Sequence, residues 1–477
     1  EDFESGALGD FEDRAAGTGW YTADPWTRRI PITVDSAQVD ADLADFPVLV
    51  SLTNATLAAE AQADGSDIRF VAADGVTPLD HEIERFDSGT GSLVAWVRVP
   101  TVTSAADTGL FLLFGAANAP DQQTIRTTWA DGAAGVWHLG RDPAGSEPRI
   151  DDSTARNHDG LPTGGMTAGD LVAARIGRGL DFDGVDDRIA TPPIDLGGRS
   201  ALSISAWVRL DTLGVDAAVL TQRSGGTTYF DLSVNGAGAV AATVDTTGSG
   251  SVTAAGGAVG TGAWHHVAAV WDGALLHVYL DGTEVDQQPA TGQLTAPTDG
   301  VSIGAAVDGS NPLDGIVDEV RLSTVARNAV WIAAEHASGN APGGFAASGG
   351  VQSGTWFDVG PWSYRKPLQI SAADVSDDAT DFVFQLSVDD TDVGTAAQAD
   401  GDDLVVTAGD GITRLDHVLE SYMAGGGSIR AWVRIPILSS TVDNDLFLYY
   451  GNAGAVDQSD EIGTFGADAD LVFLGRG

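Results

Sequence analysis

The chain repeats itself at a distance of 336 residues. At that shift Trp20 falls on Trp356, Pro25-Trp26 on Pro361-Trp362, Arg29 on Arg365, and AQADG (61–65) on AQADG (397–401). Leu79-Asp80-His81 falls on Leu415-Asp416-His417, Glu84 on Glu420, AWVRVP (95–100) on AWVRIP (431–436), and LFLLFGAA (110–117) on LFLYYGNA (446–453). No gap is needed from residue 20 to residue 136, so one fold is built twice and whatever lies between the copies is a separate module.

A third AWVR, in SISAWVRL (203–210), lies outside that register and has different neighbours on both sides. What the three strings share is strand chemistry, with alternate residues facing a core and the others facing water. Short runs rich in Val, Ile, Leu, Thr, Phe and Trp recur between Gly, Asp and Asn turns throughout, which predicts an all-β chain of three β-sandwich modules. Helical signals are confined to TLAAEAQA (56–63) and VARNAVWIAAEHA (325–337). The expected organisation is a linker or extension at 1–19, repeat copy 1 at 20–141 and a Pro-containing junction at 142–149. A larger sandwich follows at 150–338, then a Gly-rich linker at 339–355 and repeat copy 2 at 356–477.

Charge narrows the partners. Acidic residues number 68 against 24 basic ones, so the surface repels phosphate backbones and no nucleic-acid partner is expected. There is no cysteine, hence no disulfide, thiol nucleophile or thiolate metal site. The longest apolar runs, such as GLFLLFGAA (109–117), are too short to cross a bilayer, so membrane insertion by this segment is not expected.

The middle module carries DDSTARNHDG (151–160), GLDFDGVDDRI (179–189), WHHVAAVWDGALLHVYLDG (264–282) and DGIVDEVRLS (314–323), in that order. With SISAWVRL these phrases resemble the laminin-G-like, concanavalin A-like lectin/glucanase family. The resemblance implies a two-sheet jelly roll used for adhesion, glycan binding or spacing. It also implies a structural Ca²⁺ held by Asp152 and Asp318, with Asn157 and Asp186 as further ligands; oxygen donors from acidic loops are what that ion requires. The flanking copies resemble the bacterial "domain of unknown function 2341" family. The resemblance rests on the opening W-x-x-x-x-P-W-x-x-R, the Leu-Asp-His-x-x-x-Glu strand, the AWVR-x-P strand and the closing LFLYYGNA. Members of that family are often joined to laminin-G-like modules, and some are associated with a TolQ/ExbB-type proton channel.

The most enzyme-like residues are His81 with Glu84 and their counterparts His417 with Glu420. On a regular strand His81 faces away from Glu82 and Glu84, and Val418 replaces Glu82 in copy 2, so a structural role is expected. His265 and His266, adjacent on a strand, face opposite sides and do not share an ion. Trp96, Trp207 and Trp432 are expected to fill sandwich cores. No G-x-S-x-G elbow, P-loop or H-E-x-x-H string is present, and EVDQQP (284–289) lacks the last acid of the E-x-D-x-x-E strand of jelly-roll glucanases. The expectation is a non-catalytic, extracytoplasmic bacterial protein, at the cell surface, outside it or in the periplasm, part of a longer repetitive chain. It would bind a glycan or a cell-surface protein. A stalk or filament subunit that self-associates through neighbouring modules is the alternative, and a hydrolase the third.

Overall fold

The computed structural model describes residues 26–465, apart from 74, 76, 117–118, 145–149, 225–226, 296–299, 354–361, 410 and 412. The expected extension at 1–19, most of the 142–149 junction, and the Trp20/Trp356 pair lie outside the described residues.

The repeat holds element by element. In copy 1, Arg28–Val34, Thr108–Phe114 and Arg69–Ala72 form one sheet. Leu43–Thr53, Ser92–Val102 and His81–Asp87 form the other. Copy 2 builds the same pair from Tyr364–Ile370, Asn444–Tyr450 and Val405–Ala408, and from Ala379–Asp389, Ser428–Leu438 and His417–Met423. Even the short helix Ala55–Glu60 recurs as Thr391–Ala396, each capped by a side chain, Asn54 or Asp390, that accepts from the first turn.

Between them stands a jelly roll of two antiparallel sheets. One runs Thr283–Pro289, Leu275–Leu280, His265–Trp271, Leu202–Leu210, Asp314–Ser323, Arg178–Asp183 and Leu171–Ala173. The other runs Gly250–Gly256, Val240–Thr246, Thr227–Val234, Ala217–Ser224, Gly300–Ile303, Arg188–Pro193 and Leu161–Thr163. Alternation sends Leu202, Ile204, Ala206, Val208 and Leu210 into one core with Phe230, Leu232 and Val234 from the facing sheet.

Two boundaries differ from the sequence reading. The strand Ala133–Trp137 pairs with Val320 to Ser323, so copy 1 ends before residue 133 and not at 141. The stretch 339–355 is not a free linker. The helix Ala329–Asn340 runs into it, Pro342–Phe345 forms a further turn, and Ala346–Ser348 and Gln352–Ser353 pair with Arg28–Val34 of copy 1. Glycine-rich composition marks a chain that turns tightly, which is compatible with docking as well as with flexibility. Phe345, 1% exposed, and Trp331 both pack on Phe46, with ring centroids 5.9 and 4.9 Å apart. Copy 1 and the jelly roll therefore share one continuous apolar core.

Candidate functional site: a charged seam and a polar sheet face

The seam draws on two opposing strands, each with a β-bulge. In His81–Asp87, Glu82 pairs with Trp96 and Ile83 with Ala95, but Arg85 pairs with Val94, leaving Glu84 as the extra residue. In Asp314–Ser323, Asp318 pairs with Trp207 and Arg321 with Ser205, so Glu319 is inserted, and its φ of 54° is the left-handed value of such a bulge. Val317 and Val320 stay in the jelly-roll core, while both acids between them turn outward. The second bulge thus adds Glu319 to the face that meets the neighbouring module, where Glu82 and Glu84, two residues apart, share the facing side.

His138 lies where they meet. Its Nε2 is 3.1 Å from Glu82 Oε2 and its Nδ1 is 2.7 Å from Glu319 Oε1 and 3.9 Å from Glu84 Oε2. Glu82 also accepts from Trp129 Nε1 at 2.6 Å and Ser153 Oγ at 2.7 Å, and Glu84 Oε2 from Trp96 Nε1 at 3.1 Å. Arg321 donates to Glu319 Oε2 at 3.0 Å and Glu335 Oε1 at 2.8 Å, with its guanidinium 4.2 Å from the Trp96 ring centroid and 4.9 Å from that of Trp129. Gly177 packs against this group at a φ of 52°, and a Cβ there would come within 2.5 Å of Glu84 Oε1 and push the carboxyl aside.

Burial works against charge throughout this cluster, and the neighbours decide each group. Glu319 and Glu82 outweigh burial and hold His138 well above the usual histidine range, as an imidazolium. His138 in turn keeps Glu82 below the usual carboxylate range, and His138 with Arg321 does the same for Glu319. Glu84 is pushed up to about 8 by burial and by Glu319, and Asp318 is held well above the carboxylate range by burial, Glu319 and Glu84. An adjoining cleft, lined in part by Trp129, Ser205, Arg321 and Glu335, measures about 40 Å³, against the roughly 300–1,000 Å³ of a small-molecule pocket.

The sequence-derived candidates are distributed differently. His81 faces inward, its ring nitrogens 3.2 Å from the carbonyls of Leu79 and Ile68. Burial holds it below the usual histidine range, and it makes no pair with Glu84. His417 repeats this on Leu415 and Leu404 at 3.0 Å, while Glu420 is exposed and accepts from Gln385. The four residues expected to ligate calcium are not brought into one cage. Asp152 takes four protein donors, the backbone N–H groups of Val136, Thr154 and His158 and the Thr154 hydroxyl. Asn157 Oδ1 accepts from Arg126, a cation that stands where another would have to bind. Asp318 belongs to the seam, and Asp186 clusters with Asp183 and Asp187 at an acidic turn.

The tryptophans need a correction as well. Trp96 and Trp207 are each 3% exposed, but they pack with Leu49, Val94, Trp129, Val136 and Ile176 between the modules and not inside a sandwich. Trp432, on the same face of copy 2, is only partly buried, with Phe465 edge-on at 6.3 Å. Sequence reasoning missed His138, Glu319 and Trp129. Adjacent acids in VDEV, at odds with strict alternation, were the available signal of a bulge.

A second polar row lies on the jelly-roll sheet opposite the seam, buried at Ser302 and Thr221 and reaching solvent at Thr253. Ser302, Thr221, Asp231, Thr243 and Thr253 are successive cross-strand partners, so one row crosses five strands on the face away from the core. The neighbouring row, Ile303, Leu220, Leu232, Ala242 and Ala254, is core. Asp231 Oδ1 has no hydrogen-bond partner, and burial pushes the carboxyl up to about 6.

Residues 183–333 match the profile of the Concanavalin A-like lectin/glucanases superfamily, and residues 64–134 and 400–470 each match the Domain of unknown function (DUF2341). The chain is a concanavalin A-like module flanked by two DUF2341 segments. No curated protein sequence matches it. Among solved structures, the binding domain of Paraclostridial Mosquitocidal Protein 1 is similar at 11% identity and a TM-score of 0.35, over 43% of this chain and 52% of that one. The binding domain of botulinum neurotoxin serotype G matches at 11% identity and 0.33, over 43% and 50%, so the alignments span about half of either toxin domain. Domain 4 of AbnA, a GH43 extracellular arabinanase from Geobacillus stearothermophilus, in complex with arabinotriose, matches at 17% identity and 0.31, over 42% of this chain and 96% of that one. No helix among the described residues is long and apolar enough to cross a membrane.

Proposed function

We propose that the protein is a non-catalytic, extracytoplasmic binding protein in which DUF2341 copy 1 clamps one sheet of the concanavalin A-like module and the opposite sheet engages a glycan. The observation that carries this reading is the polar row on the face away from the core, buried at Thr221, half-buried at Asp231 and Thr243 and exposed at Thr253. Short hydroxyl side chains flanking a carboxylate are suited to sugar hydroxyls, each of which both donates and accepts; Asp231 Oδ1 is covered and unpartnered, so a sugar would have to displace its cover to reach it. The acids of the seam, by contrast, lie under Trp96 and Trp129 beside a cleft too small for a sugar ring.

Asp231→Asn tests this with two opposed readouts. A carboxyl whose folded pKa is raised keeps its proton longer when folded, so it lowers stability as pH rises from about 4 through about 6, and the loss persists above that. The amide removes the cost, so at pH 7.5 the variant should be more stable than wild type by about 1–3 kcal/mol in chemical denaturation. Binding to whichever glycans the wild type retains on an array should fall about tenfold or more. Unchanged glycan binding in a stabilised variant would remove the row from the site.

One observation favours a stacking role in addition. Phe382 of copy 2 is 40% exposed where its counterpart Phe46 is 1% exposed under the helix Ala329–Asn340. Light scattering across a concentration series tests for self-association through this face.

A further inference from the structure

We propose that Glu84, His138 and Glu319 form a site for one divalent transition-metal ion, of the zinc or cobalt class, which ties copy 1 to the jelly roll. One carboxylate oxygen of each glutamate and one ring nitrogen of His138 lie within 4.8 Å of one another, a spread that an ion with bonds of about 2.0–2.2 Å closes by small side-chain shifts. The donor set, one imidazole and two carboxylates, suits such ions. The opposite ring nitrogen already has the partner a metal-bound histidine requires, since Nε2 lies 3.1 Å from Glu82 Oε2 and can donate there while Nδ1 turns to the ion.

Asp318 supplies the independent sign. Its side chain is fully buried, and it immediately precedes Glu319 in the bulged stretch of the same strand, both turned away from the jelly-roll core. Its Oδ2 accepts from the Ile176 backbone at 2.7 Å, yet its Oδ1 has no partner. A buried carboxylate oxygen left empty beside three groups of metal-ligand type is a vacant donor. The carboxyl groups also outnumber the cations: Glu82, Glu84, Asp318, Glu319 and Glu335 surround only His138 and Arg321. Binding requires Nδ1 of His138 free of its proton and Glu84 as a carboxylate, so any proton either group carries leaves to solvent as the ion's two positive charges enter. Copy 2 has no equivalent, because Val418 stands for Glu82 and Glu420 is exposed, so the site occurs once per chain among the described residues.

The test uses the whole chain, dialysed against chelator and titrated with Co²⁺ by calorimetry and visible absorption, and with Zn²⁺ in thermal melts. The expected result is one Co²⁺ per chain with an absorption band of a nitrogen-ligated ion, and a melting temperature raised by Zn²⁺. Glu84→Gln should bind Co²⁺ about tenfold or more weakly. It keeps the shape of the side chain, so it remains informative even where His138→Ala does not fold. Asp186→Asn, at the separate acidic turn, should bind as wild type does. Absence of saturable Co²⁺ binding overturns the site, and so does binding that is lost in Asp186→Asn but kept in Glu84→Gln.

Discussion

Arg321→Ala is expected to cost about 3–5 kcal/mol, the range for stranding buried charges, and to melt copy 1 and the jelly roll together. The guanidinium bridges Glu319 and Glu335, each at or below 3.0 Å, and lies over two indole rings. Removing it leaves both carboxylates buried with one fewer cation and opens a gap between Trp96 and Trp129. Arg434→Ala is the comparison, since its pair with Asp381 at 3.2 Å is partly exposed, Asp381 mostly so, and such pairs contribute about 0–1 kcal/mol. Differential scanning calorimetry separates the two, because copy 2 has its own core and should keep its transition in Arg321→Ala. A loss in Arg321→Ala no larger than that in Arg434→Ala would mean that water reaches the seam and that the modules are held by their apolar contacts alone.

The seam also explains what could and could not be read from sequence. Strand positions followed from alternation and from the 336-residue register, because each sandwich specifies which residues face inward by a period of two. That register carried from Arg28–Val34 and Tyr364–Ile370 to Thr108–Phe114 and Asn444–Tyr450. The site was hidden for the same reason. Glu319 reaches it through a bulge, which violates the period, and His138 reaches it just beyond the strand Ala133–Trp137, which joins the jelly-roll sheet. A sequence repeat shows which residues copies share, but His138 is a partner between modules, and no periodicity within one module predicts it. His81 and Glu84 do take the opposite faces that alternation requires, His81 inward and Glu84 in the seam.

Trp96 and Trp432 make the sharpest comparison, since they occupy one position of one fold and differ only in what covers them. Trp96→Ala removes a ring that is 3% exposed and packs between modules against Trp129 at 5.7 Å and His138 at 6.1 Å. It also deprives Glu84 of its indole donor. The expected loss is about 3–5 kcal/mol, as for large buried aromatics, in the transition that copy 1 and the jelly roll share through their common core. Trp432→Ala empties no such seam, because its ring is partly exposed with Phe465 on one edge, so about 1 kcal/mol or less should be lost. Intrinsic strand or sandwich requirements are shared by the two positions and would give equal losses. Equal losses in denaturation would therefore return the tryptophan to a role inside its own module. Unequal ones assign the difference to the jelly roll that copy 1 carries on its outward face.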